Sequence, residues 1–285
     1  MKHWNIETIR DLLLESGRIA LSHFSAPQTK LKRDSSLVTV ADRAVESFLE
    51  KSLTGDGDGA RMIGEESVDS TTEEEVVSAL EGTTWVVDPI DGTAPYANRL
   101  PTWAVSIGLM EGGTFSQGAW FLPRIGEMYI TNGNEVLFSE ESRDPERWQF
   151  TNLQPLAPID VPFTTTGMIS LPHDIARTKR FTGDNPVQAI GSAVYSMAQM
   201  VQGRYIGCIT SLKLWDIAGA VPILRRMGYQ IQFPGGRELA DTVSSTDWIT
   251  DARSRQLWKA RGALYISQSD ETLSFMHHHY RDDNA

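Results

Sequence analysis

Three separated places in the chain set carboxylates beside apolar sequence: Glu65-Glu66, the run Asp88-Pro89-Ile90-Asp91-Gly92-Thr93, and Trp215-Asp216. Acidic groups on a solvated face usually sit among lysines and glycines, whereas Trp85 to Val87 and Leu214-Trp215 draw the neighbouring aspartates inward. Gathered carboxylates repel: at ~4 Å and an effective dielectric of about 20, each like-charged pair costs roughly 4 kcal/mol. No nearby run of arginines offsets that cost. Hard divalent cations do, because carboxylate oxygen is the preferred protein ligand of magnesium. In Asp88 to Thr93 the proline forces a turn on which Asp88 and Asp91 can converge. Gly92 and Thr93 then expose backbone N–H groups at the start of a short helix, so that metals and amides face one anion. Taken singly, each piece has a plainer meaning. Asp-Pro and Asp-Gly are turn formers, Glu65-Glu66 is a solvated pair, and Thr39 to Asp42 is a capped helix start. Their conjunction favours a metal site.

The elements that must position these acids are legible in outline. Apolar residues from Trp4 to Phe24 recur at three- and four-residue steps, the stripe of an amphipathic helix. A polar loop spans Gln28 to Ser36. Thr39 then caps a second helix with Ala41, Val45, Phe48 and Leu49 on its apolar side, ended by Gly55. A turn from Gly55 to Gly59 leads into a short strand, Arg61 to Gly64, which delivers Glu65 and Glu66 to its end. An acidic, Thr-rich surface stretch, Ser67 to Glu75, follows. Trp85 to Val87 form a β-prone run expected to stop at Asp88-Pro89, because proline cannot extend a central strand. Strands are expected at Ala104 to Met110, Ser116 to Phe121 and Glu127 to Thr131, punctuated as an antiparallel meander. The proline-bearing stretch Ser142 to Pro162 is read as a boundary between an N-terminal α+β domain, 1–150, carrying most metal ligands, and a C-terminal α/β domain, 151–285, that completes the site. Beyond it, strands at Met168 to Leu171 and Val187 to Ile190 precede a helix from Ala193 to Gln202 capped by Ser192. A further helix, Asp216 to Met227, should bend at Pro222.

Composition narrows the function. The chain has 285 residues, 40% hydrophobic, enough to bury a substantial core. Its 26 basic and 37 acidic residues leave a net charge of −11, the wrong sign for gripping a nucleic-acid polymer or an anionic membrane. One cysteine, Cys208, excludes an internal disulfide and fits a reducing compartment. The N-terminus shows no export signal and no apolar run spans a membrane, so a cytoplasmic location is expected. Asp56-Gly57-Asp58-Gly59 lacks calcium-loop spacing, no nucleotide-binding P-loop or Gly-x-Ser-x-Gly elbow occurs, and His277 to His279 read as a solvated terminal tract.

The chain resembles the inositol monophosphatase family of lithium-sensitive, magnesium-dependent phosphatases. The resemblance rests on Leu37-Val38-Thr39-Val40-Ala41-Asp42, Ile63-Gly64-Glu65-Glu66-Ser67, Trp85 to Thr93, Ala104 to Gly108, Gly191-Ser192-Ala193 and Trp215-Asp216-Ile217-Ala218-Gly219. It implies a layered αβαβα fold of α and β elements, and metal ligation by Glu66, Asp88, Asp91, Asp216 and the backbone carbonyl of Ile90. Glu65 would reach a third, looser ion through water, making two or three Mg²⁺ in all. Asp42 and Thr93 would form a carboxylate and hydroxyl relay that orients or deprotonates the attacking water, with Glu66 also in the catalytic set. Phosphate would be held by Gly92 and Thr93, and the alcohol by Gly191, Ser192 and Ala193. Lys213 could meet a second phosphate, or be a solvated strand-end lysine.

Two departures bear on substrate. Many inositol phosphatases carry a glutamate seven residues before the aspartate matching Asp216, and here that position is Ile209. The loop from Lys32 to Asp42 is closer to the Lys-x-Asp-x-Ser-x-Val-Thr pattern of 3′-phosphoadenosine and histidinol-phosphate phosphatases. The expected activity is therefore Mg²⁺-dependent hydrolysis of a small phosphorylated metabolite, nominally inositol monophosphate. Alternatives are 3′-phosphoadenosine 5′-phosphate, histidinol phosphate and fructose 1,6-bisphosphate, or, in another class, a scaffold that binds a phosphometabolite without turnover. Relatives commonly form homodimers, and a homodimer is possible here.

Overall fold

The computed structural model describes residues 3–32, 37–55 and 59–280. The turn expected at Gly55 to Gly59, parts of the loop before Thr39 and the tail after Tyr280 lie wholly or partly outside them. Asn5 accepts the Thr8 N–H and starts α1 (Ile6–Phe24), whose apolar stripe is buried as its spacing predicts. A short antiparallel pair, β1 (Thr29–Leu31) and β2 (Leu37–Thr39), leads into α2 (Val40–Thr54). Thr39 caps α2, Asp42 returns the favour by accepting the Thr39 N–H, and Gly55 closes the helix.

The next strands build one seven-stranded sheet, in spatial order β3 (Arg61–Gly64), β4 (Thr83–Asp91), β5 (Ala104–Glu111), β6 (Thr114–Leu122), β7 (Glu127–Asn132), β8 (Glu135–Glu140) and β9 (Gln154–Pro155). Only β3 and β4 run parallel. Two departures from expectation have local causes. The acidic stretch after Ser67 flows into α3 (Glu73–Glu81), started by a reciprocal cap between Thr72 and Glu75. Strand β4 does not stop at Pro89: it pairs Asp88 with Ser106 and then Asp91 with Ala104, a bulge that places the proline where the ladder lapses. A short helix, α4 (Thr93–Ala97), follows at once.

The second sheet has the order β11 (Val187–Gln188), β10 (Ile169–Ser170), β12 (Gly207–Thr210), β14 (Leu264–Ser267) and β13 (Gln230–Gln232). Helices α5 (His173–Thr178), α6 (Ala193–Val201), α7 (Leu214–Ala218), α8 (Val221–Arg226) and α9 (Asp270–His279) complete the described chain. In place of one helix bent at Pro222, the chain makes α7 and α8, with Pro222 in the first turn of α8, where its missing N–H costs nothing. The histidine tract ends α9, and His277 is seated: its ring lies 4.0 Å from that of Tyr265 and its Nε2 is 3.1 Å from Gln232 Oε1.

Alternate residues of the large sheet point to different layers. Trp85, Val87, Val105, Ile107 and Phe121 pack against α1 and α2. Val86, Trp120 and Tyr129 face a second cluster formed by α6, α7 and α8, which also takes Ile231, Leu264 and Ile266 of the small sheet. Ile169, Ile209 and Tyr265 pack outward against Ile175 of α5 and Leu273 and Met276 of α9. The order is helices, sheet, helices, sheet, helices, an α+β fold with αβαβα layering. Among the described residues no helix is long and apolar enough to cross a membrane.

One close approach sets the height of α7. Gly108 and Gly118 face each other across β5 and β6. A Cβ on Gly118 would lie 2.0 Å from the Gly219 carbonyl oxygen, and one on Gly108 2.6 Å from the Ala218 carbonyl carbon. The end of α7 thus rests on a side-chain-free patch, three residues from Asp216. Gly118→Ala is expected to destabilise by about 1–3 kcal/mol through overpacking. It should also weaken divalent-cation binding, because α7 must lift; a urea melt and a calorimetric titration check both.

Candidate active site

Strands β3 and β4 are parallel neighbours, so the segments leaving their C-terminal ends emerge side by side. Glu65 and Glu66 follow β3, Asp88 and Asp91 lie in the bulged end of β4, and Asp216 is in the first turn of α7. One carboxylate oxygen from each of Asp88, Asp91 and Asp216 lies within 4.8 Å of the others. Asp88 and Asp91 are buried, at 1% and 4% exposure.

Each acid is oriented by backbone donors. Asp88 Oδ1 accepts the Ile90 N–H at 3.1 Å, and Asp216 Oδ2 the Lys213 N–H at 2.7 Å. Asp91 reaches across the molecule to the start of α6: it accepts the Ala193 N–H at 3.0 Å, the Val194 N–H at 2.9 Å and the Ser192 hydroxyl. Thr93 Oγ1 lies 3.2 Å from Asp42 Oδ1 and 3.3 Å from the Ile90 carbonyl oxygen. Asp42 is itself fixed by the Thr39 N–H at 2.8 Å and the Thr39 hydroxyl. The Lys32 ammonium lies 2.8 Å from Glu65 Oε1 and 2.6 Å from Glu66 Oε1. Lys32 opens the Lys-x-Asp-x-Ser-x-Val-Thr pattern in the sequence, but its pairing with Glu65 and Glu66 is not among the expected contacts.

The electrostatics show a site short of positive charge. Burial, then the charges of Glu65, Asp91 and Asp216, hold the Asp88 carboxyl well above its usual range. Burial likewise pushes Asp216 up to about 8, with Glu65 and Asp91 adding to it. Asp91 rises to about 6 by burial against the pull of its three donors. Asp42 reaches about 6 and Glu66 about 7, burial again leading. Five raised carboxyls with oxygen-only donors match a hard divalent cation and no thiolate or imidazole metal. The donor set fits such ions.

The inositol monophosphatase family pattern matches residues 5–271. The chain belongs to the inositol monophosphatase family. An inositol monophosphatase of Dictyostelium discoideum is 27% identical over 238 residues, covering 81% of this chain and 85% of that protein. A histidinol-phosphatase of Mycobacterium tuberculosis is 30% identical over 203 residues, 69% of this chain and 74% of the relative. Inositol monophosphatase II of Staphylococcus aureus, solved with inositol monophosphate bound, superposes with a TM-score of 0.67 at 19% identity, covering 97% of this chain and 94% of that one. The chain is accordingly a phosphoric monoester hydrolase of a metal-dependent family.

As in any inositol monophosphatase family member, the acids need a space for substrate beside them. A cavity of about 770 Å³ opens over Asp88, Asp91 and Asp216 and is lined by Glu65, Gly92, Thr93, Gly191, Ser192 and Ala193. Its far wall is Ser170 to Asp174 and Cys208 to Leu212, a mixture of hydroxyls, one histidine and apolar side chains. Ile209 is on that wall. Two expected substrate contacts are placed differently. The Ser192 hydroxyl is spent on Asp91 and also accepts the Tyr195 N–H at 3.1 Å, so it serves as cap and as clamp on a carboxylate. Lys213 does not line the cavity; its Nζ sits 5.1 Å over the Trp215 ring, where cation and π-face attract. Asp42 and Glu66 stand one layer behind the lining, reaching it through Thr93 and beside Glu65.

Proposed function

We propose that this chain hydrolyses the phosphate monoester of a small alcohol, nominally inositol monophosphate, using two or three Mg²⁺ ions. Glu65, Glu66, Asp88, Asp91, Asp216 and the Ile90 carbonyl would hold them. The observation that carries this reading is the convergence of Asp88, Asp91 and Asp216 from distant parts of the chain onto one point of a cavity wall. When bound, such ions supply Lewis-acid charge to the phosphoryl oxygens and to the entering and leaving oxygens of an in-line displacement.

The protein's own groups do the rest. Thr93 Oγ1 donates to Asp42 Oδ1 and keeps its lone pairs for the attacking water. As the water oxygen bonds to phosphorus, its proton passes to the threonine hydroxyl and the threonine proton to Asp42. The oxygen–phosphorus bond to the alcohol breaks on the opposite side, the leaving oxygen keeps the electron pair and takes a proton from solvent water, and Asp42 later returns its proton to solvent. Gly92 and Thr93 line the phosphate end. Asp42, raised to about 6, is a better proton acceptor than an ordinary aspartate. Direct attack by water is favoured over a cysteinyl phosphoenzyme: the Cys208 thiol is buried and pushed up to about 12, and no Cys-x₅-Arg loop exists. A single buried free thiol also fits the reducing cytoplasm.

Histidinol phosphate is a second reading, supported by the 30% identity to a histidinol-phosphatase and by Ile209 at the position where many inositol phosphatases carry a glutamate acceptor. A released-phosphate panel with inositol monophosphate, histidinol phosphate, 3′-phosphoadenosine 5′-phosphate and fructose 1,6-bisphosphate separates them. Mg²⁺-dependent release from a monophosphate, abolished by EDTA, is expected. Silence with every substrate would rule out these four and point to a phosphomonoester outside the panel or to the scaffold reading. Thr93→Ala is expected to lower kcat by about 10²–10⁴, the usual worth of a positioned proton relay, with Mg²⁺ affinity unchanged. Single-turnover assays and calorimetry measure the two.

A further inference from the structure

Helix α2 buries two carboxylates one turn apart, Asp42 and Glu46. The first belongs to the relay described above. The second has no place in it, yet Glu46 is only 5% exposed, in a stripe otherwise made of Ala41, Val45, Leu49 and Leu53. An acid there needs partners. Most lie in the segment that follows β3: Glu46 Oε2 accepts the Glu66 N–H at 2.8 Å, and the Ser67 hydroxyl, together with the Lys32 charge from outside that segment, favours the ionised carboxylate.

The fit is tight. A Cβ on Gly64 would lie 2.4 Å from Glu46 Cδ and 2.5 and 2.7 Å from its two oxygens. Gly64 therefore leaves the space in which the carboxylate lies against the backbone, immediately before the two glutamates. Lys32 grips the far ends of Glu65 and Glu66, whereas Glu46 grips the backbone from which both side chains project. Residues four apart share one helix face. One face of α2 thus sets two arms of the site: Asp42 locates the Thr93 hydroxyl, and Glu46 locates the turn that carries Glu65 and Glu66.

We propose that Glu46 is a positioning residue, a buried carboxylate bracket that holds the Gly64 to Ser67 turn so that Glu65 and Glu66 face the cation site. The proposal rests on the metal-site reading above for its consequence, but not for the bracket itself. Hydrogen exchange at residues 64–67 in the metal-free protein reads the bracket, and calorimetric Mg²⁺ titration reads its effect on the site. In Glu46→Ala, exchange over 64–67 is expected to speed up at least about fivefold, the equivalent of one lost hydrogen bond. Mg²⁺ affinity is expected to fall about 10- to 100-fold, as when the group that orients a metal ligand is removed.

Glu46→Gln keeps an oxygen for the Glu66 N–H and is expected to restore both readings to near the parent. A folded Glu46→Ala protein with parental exchange and parental Mg²⁺ affinity overturns the proposal. So does a Glu46→Gln protein as impaired as Glu46→Ala, because charge and not the bracket would then be responsible. If Glu46→Ala does not fold, Ser67→Ala removes one arm of the same bracket from an exposed residue, and unchanged exchange there overturns the proposal equally. Should the parent itself bind no Mg²⁺, the metal reading fails alone, and the exchange measurements still decide the role of Glu46.

Discussion

Replacing Asp88 by asparagine is expected to remove Mg²⁺-dependent phosphate release by about 10³-fold or more, while making the metal-free protein harder to melt. The two effects share one cause. Asp88 is the least exposed of the three converging aspartates, and its charge is opposed by Glu65, Asp91 and Asp216. Asparagine keeps the Oδ1 atom that accepts the Ile90 N–H, so the turn at Pro89 survives. What disappears is one negative charge. For cation binding that loss removes charge stabilisation of several kcal/mol, and each 1.4 kcal/mol is tenfold in rate. For the metal-free fold the same loss relieves repulsion and desolvation. Phosphate-release assays and thermal melts in EDTA measure the pair. Opposite signs are the signature of a site that trades stability for function. A structural acid would lose both together, and unchanged turnover would refute the assignment of Asp88 to the metal.

How far the fold was legible depended on the distance over which each signal acts. The start and end of α2 follow from contacts within one turn, Thr39 with Asp42 and Gly55 at the close, and the sequence shows both. The extension of β4 through Pro89 does not follow, because the bulge that tolerates the proline is a property of pairing with β5. The break between α7 and α8 is of the same kind. Pro222 signals a disturbed helix, but the glycine patch of β5 and β6 that seats Gly219 lies about 100 residues upstream. Strand β9, two residues inside the proline-bearing stretch read as a boundary, is too short to carry a period, whereas β10 and β11 fall within the runs 168–171 and 187–190 read as strands.

Within the candidate site, the acids were legible because apolar neighbours made their charge anomalous. The groups that hold the acids were harder to see. Ser192 reads as a helix cap and is one, yet its hydroxyl also binds Asp91, 101 residues away. Lys213 precedes Asp216 by three residues, which suggests a cation at the site, but the Trp215 ring captures its ammonium. Glu46 did carry a signal: an acid four residues after Asp42, on the side of α2 that Val45 and Leu49 bury. Read as a helix surface, that position is unremarkable; read as a second buried acid, it asks for a donor.

The same crowding of acids gives the metal-free protein an inverted pH profile. An unfolded chain loses carboxyl protons near pH 4. The native protein keeps them longer, with Asp42 and Asp91 raised to about 6, Glu66 to about 7 and Asp216 to about 8. Between pH 4 and pH 8 the native state therefore binds more protons than the unfolded state, and stability falls as pH rises. Below pH 4 both states are largely protonated and the penalty is small; it grows through pH 8, where Asp216 is itself titrating and Asp88 is still held above its usual range. A single group raised by two pKa units contributes ~2.7 kcal/mol, which for a chain of this size lowers Tm by about 5–10 °C, so the groups together set a drop of at least that order. Melts in EDTA at pH 5 and pH 8 should show that drop. Exposed acids such as Glu75 and Asp251 are shifted downward, so their contribution is lost only as pH falls below 4, outside this window. Saturating Mg²⁺ binds the ionised native acids, adds stability that grows with pH, and should flatten or reverse the slope. Asp88→Asn should flatten it without metal, because one of the mutually repelling groups no longer ionises. A Tm independent of pH in EDTA would mean that the acids do not share a desolvated site.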